Sequence, residues 1–381
     1  MLLVPVAVLP EKLQWPAVVG LQSCLVGVIC WLLFDLAERL FGVGTAQASV
    51  LVLLFYPWLY VHARTPMSIV AQMLCVMLLM NLLARELLRE ERDRVSESWP
   101  QWAGRAARLG LAMGIALLCH GTFQLSLLLI GPGVAGLAML RRTPGLLGRL
   151  LLAAIIAGVI VAPWTYRNWR VSGRLIPVVT NSGYAYFWGN AHWNLAGKVL
   201  GIDERQRRLA LAGLQGTERE LVHFHGIRDS RVDAEVNRRM VEDIQAHPEQ
   251  FVEKLALNSI EFYFPVAHDI LTHRRSAFGH LLISRVVQSL VHLVLWGLVL
   301  WAIWRERQPV LRRRMLGLLA CIAALVVPYL PFLVCAGHTP YVMSTVPLLG
   351  VLLCEGLASG PAGAAASVAA EVTEQEELVL A

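Results

Sequence analysis

Apolar runs about as long as a bilayer is thick recur along this chain, and they leave it few ways to fold. A helix crossing the hydrocarbon layer needs roughly 17 to 25 mostly apolar residues. Runs of this kind have their cores at residues 15–34, 45–61, 66–83, 109–118 with its continuation, 126–140, 148–161, 282–304, 315–334 and 341–358. They predict an all-α polytopic membrane protein of about nine transmembrane helices with one large mixed extracytoplasmic loop. Composition agrees: 56% of the 381 residues are hydrophobic, 16% are charged, and the mean hydropathy is +0.57, which excludes an ordinary soluble chain.

Arginine placement orients these spans, because lysine and arginine in short loops stay on the cytoplasmic side. Arg85, Arg89, Arg92, Arg94, Arg105 and Arg108 share one connection, Arg141, Arg142 and Arg149 another, and Arg305, Arg307, Arg312, Arg313 and Arg314 a third. The short loops of the opposite side carry only Arg64. Alternation then places 165–280 outside, together with the turns near Arg64, His120 and His338, and the C-terminal tail inside. It also puts the N-terminus outside. Four parts result: an N-terminal transmembrane bundle (1–164), an extracytoplasmic loop segment (165–280), C-terminal transmembrane helices (281–358) and a disordered cytoplasmic tail (359–381). The tail is small-residue rich and then acidic at Glu371, Glu374, Glu376 and Glu377, too polar to bury a core. Residues 1–10 are apolar but too short to span, and they read as the remainder of a longer element.

The formal charge of +6 and pI near 9.1 come largely from the cytoplasmic arginines, so they point to anionic lipid headgroups and not to nucleic acid. All seven cysteines lie in or beside apolar spans and the outer loop has none, so no disulfide framework is readable.

The transition from hydrocarbon to water is written most clearly at 163–190, PWTYRNWRVSGRLIPVVTNSGYAYFWGN. An uncharged run over 150–162 stops there, Trp164, Tyr166 and Trp169 supply rings suited to headgroup depth, and Arg167 and Asn168 come at the level of lipid phosphates. The outer segment then has two halves. Residues 171–200 mix β-formers with Asn181, Ser182, Gly183 and Gly189, which predicts extended pieces and turns. Further on, Val232, Val236, Met240 and Ile244 recur every fourth residue as a helical stripe, and His247-Pro248-Glu249 starts another helix with proline at its first position.

Four of these places together resemble the GT-C glycosyltransferases, the membrane family of protein O-mannosyltransferases and aminoarabinose transferases, over most of the chain. Pro163, Trp164, Arg167 and Asn168 resemble the family's proline-tryptophan-x-x-arginine-asparagine exit from a span. Gly183 to Asn190 is similar to its glycine-rich stretch ending in glycine-asparagine. The run DAEVNRRMVEDIQAHPEQFVEKLALNSIEFYFP resembles its outer helical segment, and HTPYVMSTVPLL sits where members have an arginine-tyrosine pair before a proline-containing last helix. The resemblance implies a polyprenyl-phosphate-linked sugar as donor partner, in the outer leaflet of a bacterial-type inner membrane, with a lipid, glycan or protein as acceptor. It nominates Arg167, Asn168, Asn190, His120, His338 and Tyr341 for lipid-phosphate or sugar binding, Arg167 by a bidentate fork on phosphate oxygens. No cofactor is identified, and a divalent metal is compatible but not indicated.

The chain departs from the family where members carry a further helix and an outer loop with a catalytic aspartate. Asp35 and Glu38 fall at the cytoplasmic end of their span, and Glu11 is a lone outer carboxylate beside Lys12, so the catalytic base is unknown. His338 and Thr339 stand where an arginine precedes Tyr341, and His120 stands where the family often has an arginine. His120 either faces a lipid-phosphate cavity or caps a helix break. Interface anchoring alone explains the aromatics, and headgroup snorkelling alone explains Arg167. His223, His225, His268, His273 and His280 read as solvated loop histidines, since no nearby cysteine or tight carboxylate cluster completes a metal ligand set. A catalytically incomplete GT-C-like partner protein is the second reading. A transporter would place ionisable groups deep in several spans, whereas the fourth to sixth hold only His120 and, at the inner end of the sixth, Arg149.

Overall fold

The computed structural model describes residues 9–64, 69–88, 98–121, 123–140, 144–178, 238, 241–242, 244–264, 279–332 and 345–358, and no strand occurs among them. The helices are α1 (Glu11–Phe41), α2 (Val43–Leu54), α3 (Pro57–Ala63), α4 (Ile69–Leu87), α5 (Trp99–Cys119), α6 (Phe123–Leu140), α7 (Pro144–Ser172), α8 (Pro248–Tyr263), α9 (Gly279–Arg305), α10 (Pro309–Val326) and α11 (Val346–Ala358), with a 3-10 turn, η1, at Val327–Phe332. Six of them, α1, α4, α5, α6, α7 and α9, are long and apolar enough to cross a membrane. That is the makeup of a multi-pass, all-α membrane protein. Exposed side chains such as Leu128, Ile155 and Val159 along the middles of α6 and α7 fit a lipid-facing surface.

Several boundaries differ from those drawn on the sequence. The run 45–61 is two helices, because Pro57 has no N–H to continue the ladder of α2 and restarts it as α3. The fourth and fifth runs, hard to separate in sequence, part at His120 and Gly121. Helix α7 passes through Pro163 and continues to Ser172, so the aromatic-arginine stretch is helical. Pro248 does open α8, with His247 as its N-cap.

The chain divides into two units by internal contact. The first holds α1–α4, the second half of α9, most of α10 and α11. Within it α1 packs on α2 and α4, and α2 on α11. Ile29, Leu33 and Leu36 of α1 and Met73 and Met77 of α4 are fully buried. The turn from α1 to α2 needs a left-handed residue and uses Gly42, φ 99°, whose N–H bonds the Glu38 carbonyl at 2.8 Å. Three polar contacts gather helix ends on one side of this unit. Arg85 of α4 reaches Asp35 of α1 at 2.9 Å, Arg314 of α10 donates to the Leu40 carbonyl, and Thr45 of α2 donates to buried Glu355 of α11 at 2.8 Å.

The second unit holds α5–α8, the first half of α9 and η1. Helices α5 and α7 lie against each other, α6 packs on α7 and η1, and α8 packs on η1, where buried Asn258 donates to the Leu330 carbonyl. Trp102 near the start of α5 donates to the Gly145 carbonyl near the start of α7, so the two helices run side by side in parallel. His292 of α9 bonds the Tyr263 carbonyl through Nδ1 at 2.7 Å; because a carbonyl only accepts, Nδ1 carries the proton.

Close approach of α5 and α7 depends on two glycines one helical turn apart. A Cβ on Gly110 would lie 2.6 Å from the Ala153 carbonyl oxygen, and one on Gly114 would lie 2.9 Å from the Ile160 side chain. This is the small-residue packing by which apolar helices associate without a hydrophobic driving force. Gly110→Ala is therefore expected to cost about 1–3 kcal/mol, measured by unfolding in mixed micelles. Gly104→Ala, whose Cβ enters open space, is expected to be neutral or slightly stabilising. Equal stability of the two variants would refute the close-packed interface.

Candidate functional site

The last two turns of α7 carry three donors that turn back onto the segment just beyond the helix. Trp164 Nε1 donates to the Val178 carbonyl at 2.8 Å, Thr165 Oγ1 to the Pro177 carbonyl at 2.9 Å, and Asn168 Nδ2 to the Ile176 and Val178 carbonyls at 3.1 and 3.3 Å. Positions 164, 165 and 168 share one helix face by their one-, three- and four-residue spacing, so a single returning segment satisfies all of them. The return is possible because Gly173 takes φ 69° and Ser172 Oγ accepts the Arg174 N–H at 3.2 Å. These contacts form a clasp between the helix end and residues 176–178. The clasp gives Asn168 a role in the fold: its amide N–H groups are committed to backbone carbonyls and not turned toward a phosphate.

Arg167 lies on the same stretch and is exposed. Its guanidinium carbon sits 5.0 Å from the centre of the Trp164 ring, a cation-π contact, and among the described residues no carboxylate pairs with it. Because the indole N–H is fixed to Val178, the ring beneath the guanidinium is fixed too. The arrangement presents a positive charge with its planar fork open to an anion.

On the helix face away from Arg167, Tyr166 and Trp169 border a cleft of about 500 Å³ between the far ends of α5 and α7. Leu117, Gly158, Val161 and Ala162 make its walls apolar, and Gln124 and Thr165 give it a few polar groups. Gly158 leaves open space where a side chain would stand. No motif in the sequence marks this cleft, although Gly158, Ala162, Tyr166 and Trp169 recur at three- and four-residue steps, a spacing that could have pointed to it.

His120 sits in the turn between α5 and α6, at the end of α5 that also bears Leu117. Its N–H closes α5 on the Ala116 carbonyl at 3.1 Å, and its carbonyl accepts the Phe123 N–H at 3.1 Å, so the helix-break reading has a structural basis. Burial pushes its imidazole down to about 4. At neutral pH it offers a phosphate a neutral ring and no cation.

Asn190, His338 and Tyr341 lie outside the described residues, as do His223, His225, His268 and His273. Arg167, Asn168 and His120 all belong to the second unit. Among the described residues no group of histidine, cysteine, aspartate and glutamate gathers that could hold a metal ion. Asp35 accepts from Arg39 at 2.7 and 2.9 Å, from Asn81 at 2.6 Å and from Arg85 at 2.9 Å, so its oxygens are committed within the first unit. No protein-family model, curated protein or solved structure matches the chain.

Removing the Asn168 amide is expected to open the clasp at a local cost of about 1–3 kcal/mol. Trypsin cleavage after exposed Arg174 should speed up in Asn168→Ala relative to the unaltered chain. An unchanged cleavage rate would mean that the clasp does not hold this segment.

Proposed function

We propose that this chain is a membrane glycosyltransferase of the GT-C type that transfers a sugar from a polyprenyl-phosphate donor to a lipid, glycan or protein acceptor. In this reading about nine helices cross a bacterial-type inner membrane, the 165–280 segment lies outside, and the C-terminus is cytoplasmic. The observation that supports it best is Arg167: an exposed guanidinium with no carboxylate partner among the described residues, braced on a fixed indole, at the end of an apolar helix. A lipid phosphate at the membrane boundary can be met by such a cation.

In the reaction, an acceptor oxygen attacks the anomeric carbon, the bond from that carbon to the phosphate oxygen breaks, and the polyprenyl phosphate leaves with the electron pair. Charge grows on the phosphate as the bond breaks, and in this reading Arg167 stabilises it. The acceptor proton passes to a base that is not assigned. His338, Tyr341 and Asn190 remain proposed contacts to the donor.

The second reading, a catalytically incomplete partner protein, rests on the catalytic base having no assigned residue: Asp35 lies at the arginine-bearing end of α1, bound by Arg39, Asn81 and Arg85, and not at the α7 site. Turnover in purified bilayers separates the two. With a lipid-linked sugar and an acceptor pool, the enzyme reading expects release of polyprenyl phosphate, slowed about 10²–10³-fold in Arg167→Ala and strongly slowed in Arg167→Lys, which keeps the charge but loses the fork. Turnover that ignores Arg167→Ala would remove the phosphate role. Lipid-sugar binding without turnover would favour the partner.

A further inference from the structure

We infer that the arginine end of the first unit is a binding surface for the headgroups of anionic phospholipids. The contacts from Arg85 to Asp35, from Arg314 to Leu40 and from Thr45 to Glu355 bring the ends of α1, α2, α4, α10 and α11 together. Seven guanidinium groups belong to this end: Arg39, Arg85, Arg305, Arg307, Arg312, Arg313 and Arg314. Carboxylates belong to it as well, but the two charges are sorted by depth. Glu86, Glu306 and Glu355 are buried at 6%, 7% and 5% exposure, and Asp35 is covered by its three donors. Arg39, Arg307, Arg312 and Arg313 are exposed, opposed on the surface only by Glu38 among the described residues of this end. Among the described residues of this end, acids turned inward and bases turned outward leave a positive face.

The surroundings of that face select a lipid over a soluble anion. Trp304 is 77% exposed, Val43 and Val310 are at least half exposed, and the Arg305 guanidinium lies 4.9 Å from the Trp301 ring centre. Exposed rings and aliphatic side chains beside guanidinium groups suit the boundary where acyl chains meet phosphates. Near the end of α1, Arg39 and Arg85 share one carboxylate while their side chains stay 42% and 36% exposed, so that pair keeps a net positive charge and further N–H donors. A phosphodiester headgroup can accept from those donors without breaking the contacts to Asp35.

The test is retention of phosphatidylglycerol on the full chain. The protein is purified from nanodiscs of phosphatidylcholine doped with phosphatidylglycerol, and bound lipid is counted by native mass spectrometry. Phosphatidylglycerol is expected to be enriched over phosphatidylcholine, and its affinity to fall about fivefold for each arginine removed in Arg312→Gln, Arg313→Gln and Arg39→Gln. Arg312 and Arg313 are exposed, so their variants are expected to keep the fold; Arg39→Lys, which keeps the charge, is expected to restore most of the binding lost in Arg39→Gln. No enrichment, or enrichment unaltered in all three glutamine variants, would overturn the proposal. Displacement by equimolar inorganic phosphate would also overturn it, by showing a site for free anions. Because none of these arginines belongs to the α7 site, the outcome is independent of the transferase reading.

Discussion

A polar group inside a helical bundle that faces hydrocarbon must find its partner within the protein, and this requirement organises the whole chain. Asp35 is tolerable in α1 because two guanidinium groups and an amide surround it. Glu355 is tolerable in α11 because Thr45 reaches it, and His292 because Tyr263 offers a carbonyl. Each such contact also fixes which helix ends lie together, so the same bonds that satisfy polar groups determine the topology of each unit.

The end of α7 applies the rule to a place where the chain leaves the bundle. Carbonyls of 176–178 would otherwise lack donors near the apolar cleft, and Trp164, Thr165 and Asn168 supply them. By doing so they immobilise the indole under Arg167. The cation is thereby prepared before any ligand arrives, which lowers the entropic cost of binding an anion. Fold and proposed chemistry meet in the same six residues, 163–168.

Much of the helical layout was legible because long apolar runs leave a strong signal, and Pro248 acted as its chemistry requires. Boundaries were harder. Pro57 cut one run in two, while Pro163, the same residue type, let α7 continue. The two prolines differ in what precedes them: the chain leaves the helix at Phe55 and Tyr56 before Pro57, whereas it stays helical up to Pro163, after which Thr165 adds a bond to the Val161 carbonyl at 3.2 Å. The resemblance nominated Asn168 as a ligand candidate, but the sequence could not reveal that two backbone carbonyls, of Ile176 and Val178, fold back within its reach. Gly110 and Gly114, four apart, form a readable packing face, yet nothing local distinguishes them among 30 glycines. The depth sorting of acids and arginines is tertiary information that no local pattern contains.

For the α7 site to meet an outer-leaflet lipid phosphate, Arg167 and Arg312 must face opposite sides of a membrane. Single cysteines placed at Arg174, beside the clasp, and at Arg312, in a background without native cysteines, can be challenged in intact cells with a membrane-impermeant maleimide. Labelling at 174 and protection at 312 until the cells are opened is the expected result. Protection at 174 with labelling at 312 would put Arg167 in the cytosol and contradict the assignment of this site to an outer-leaflet lipid phosphate.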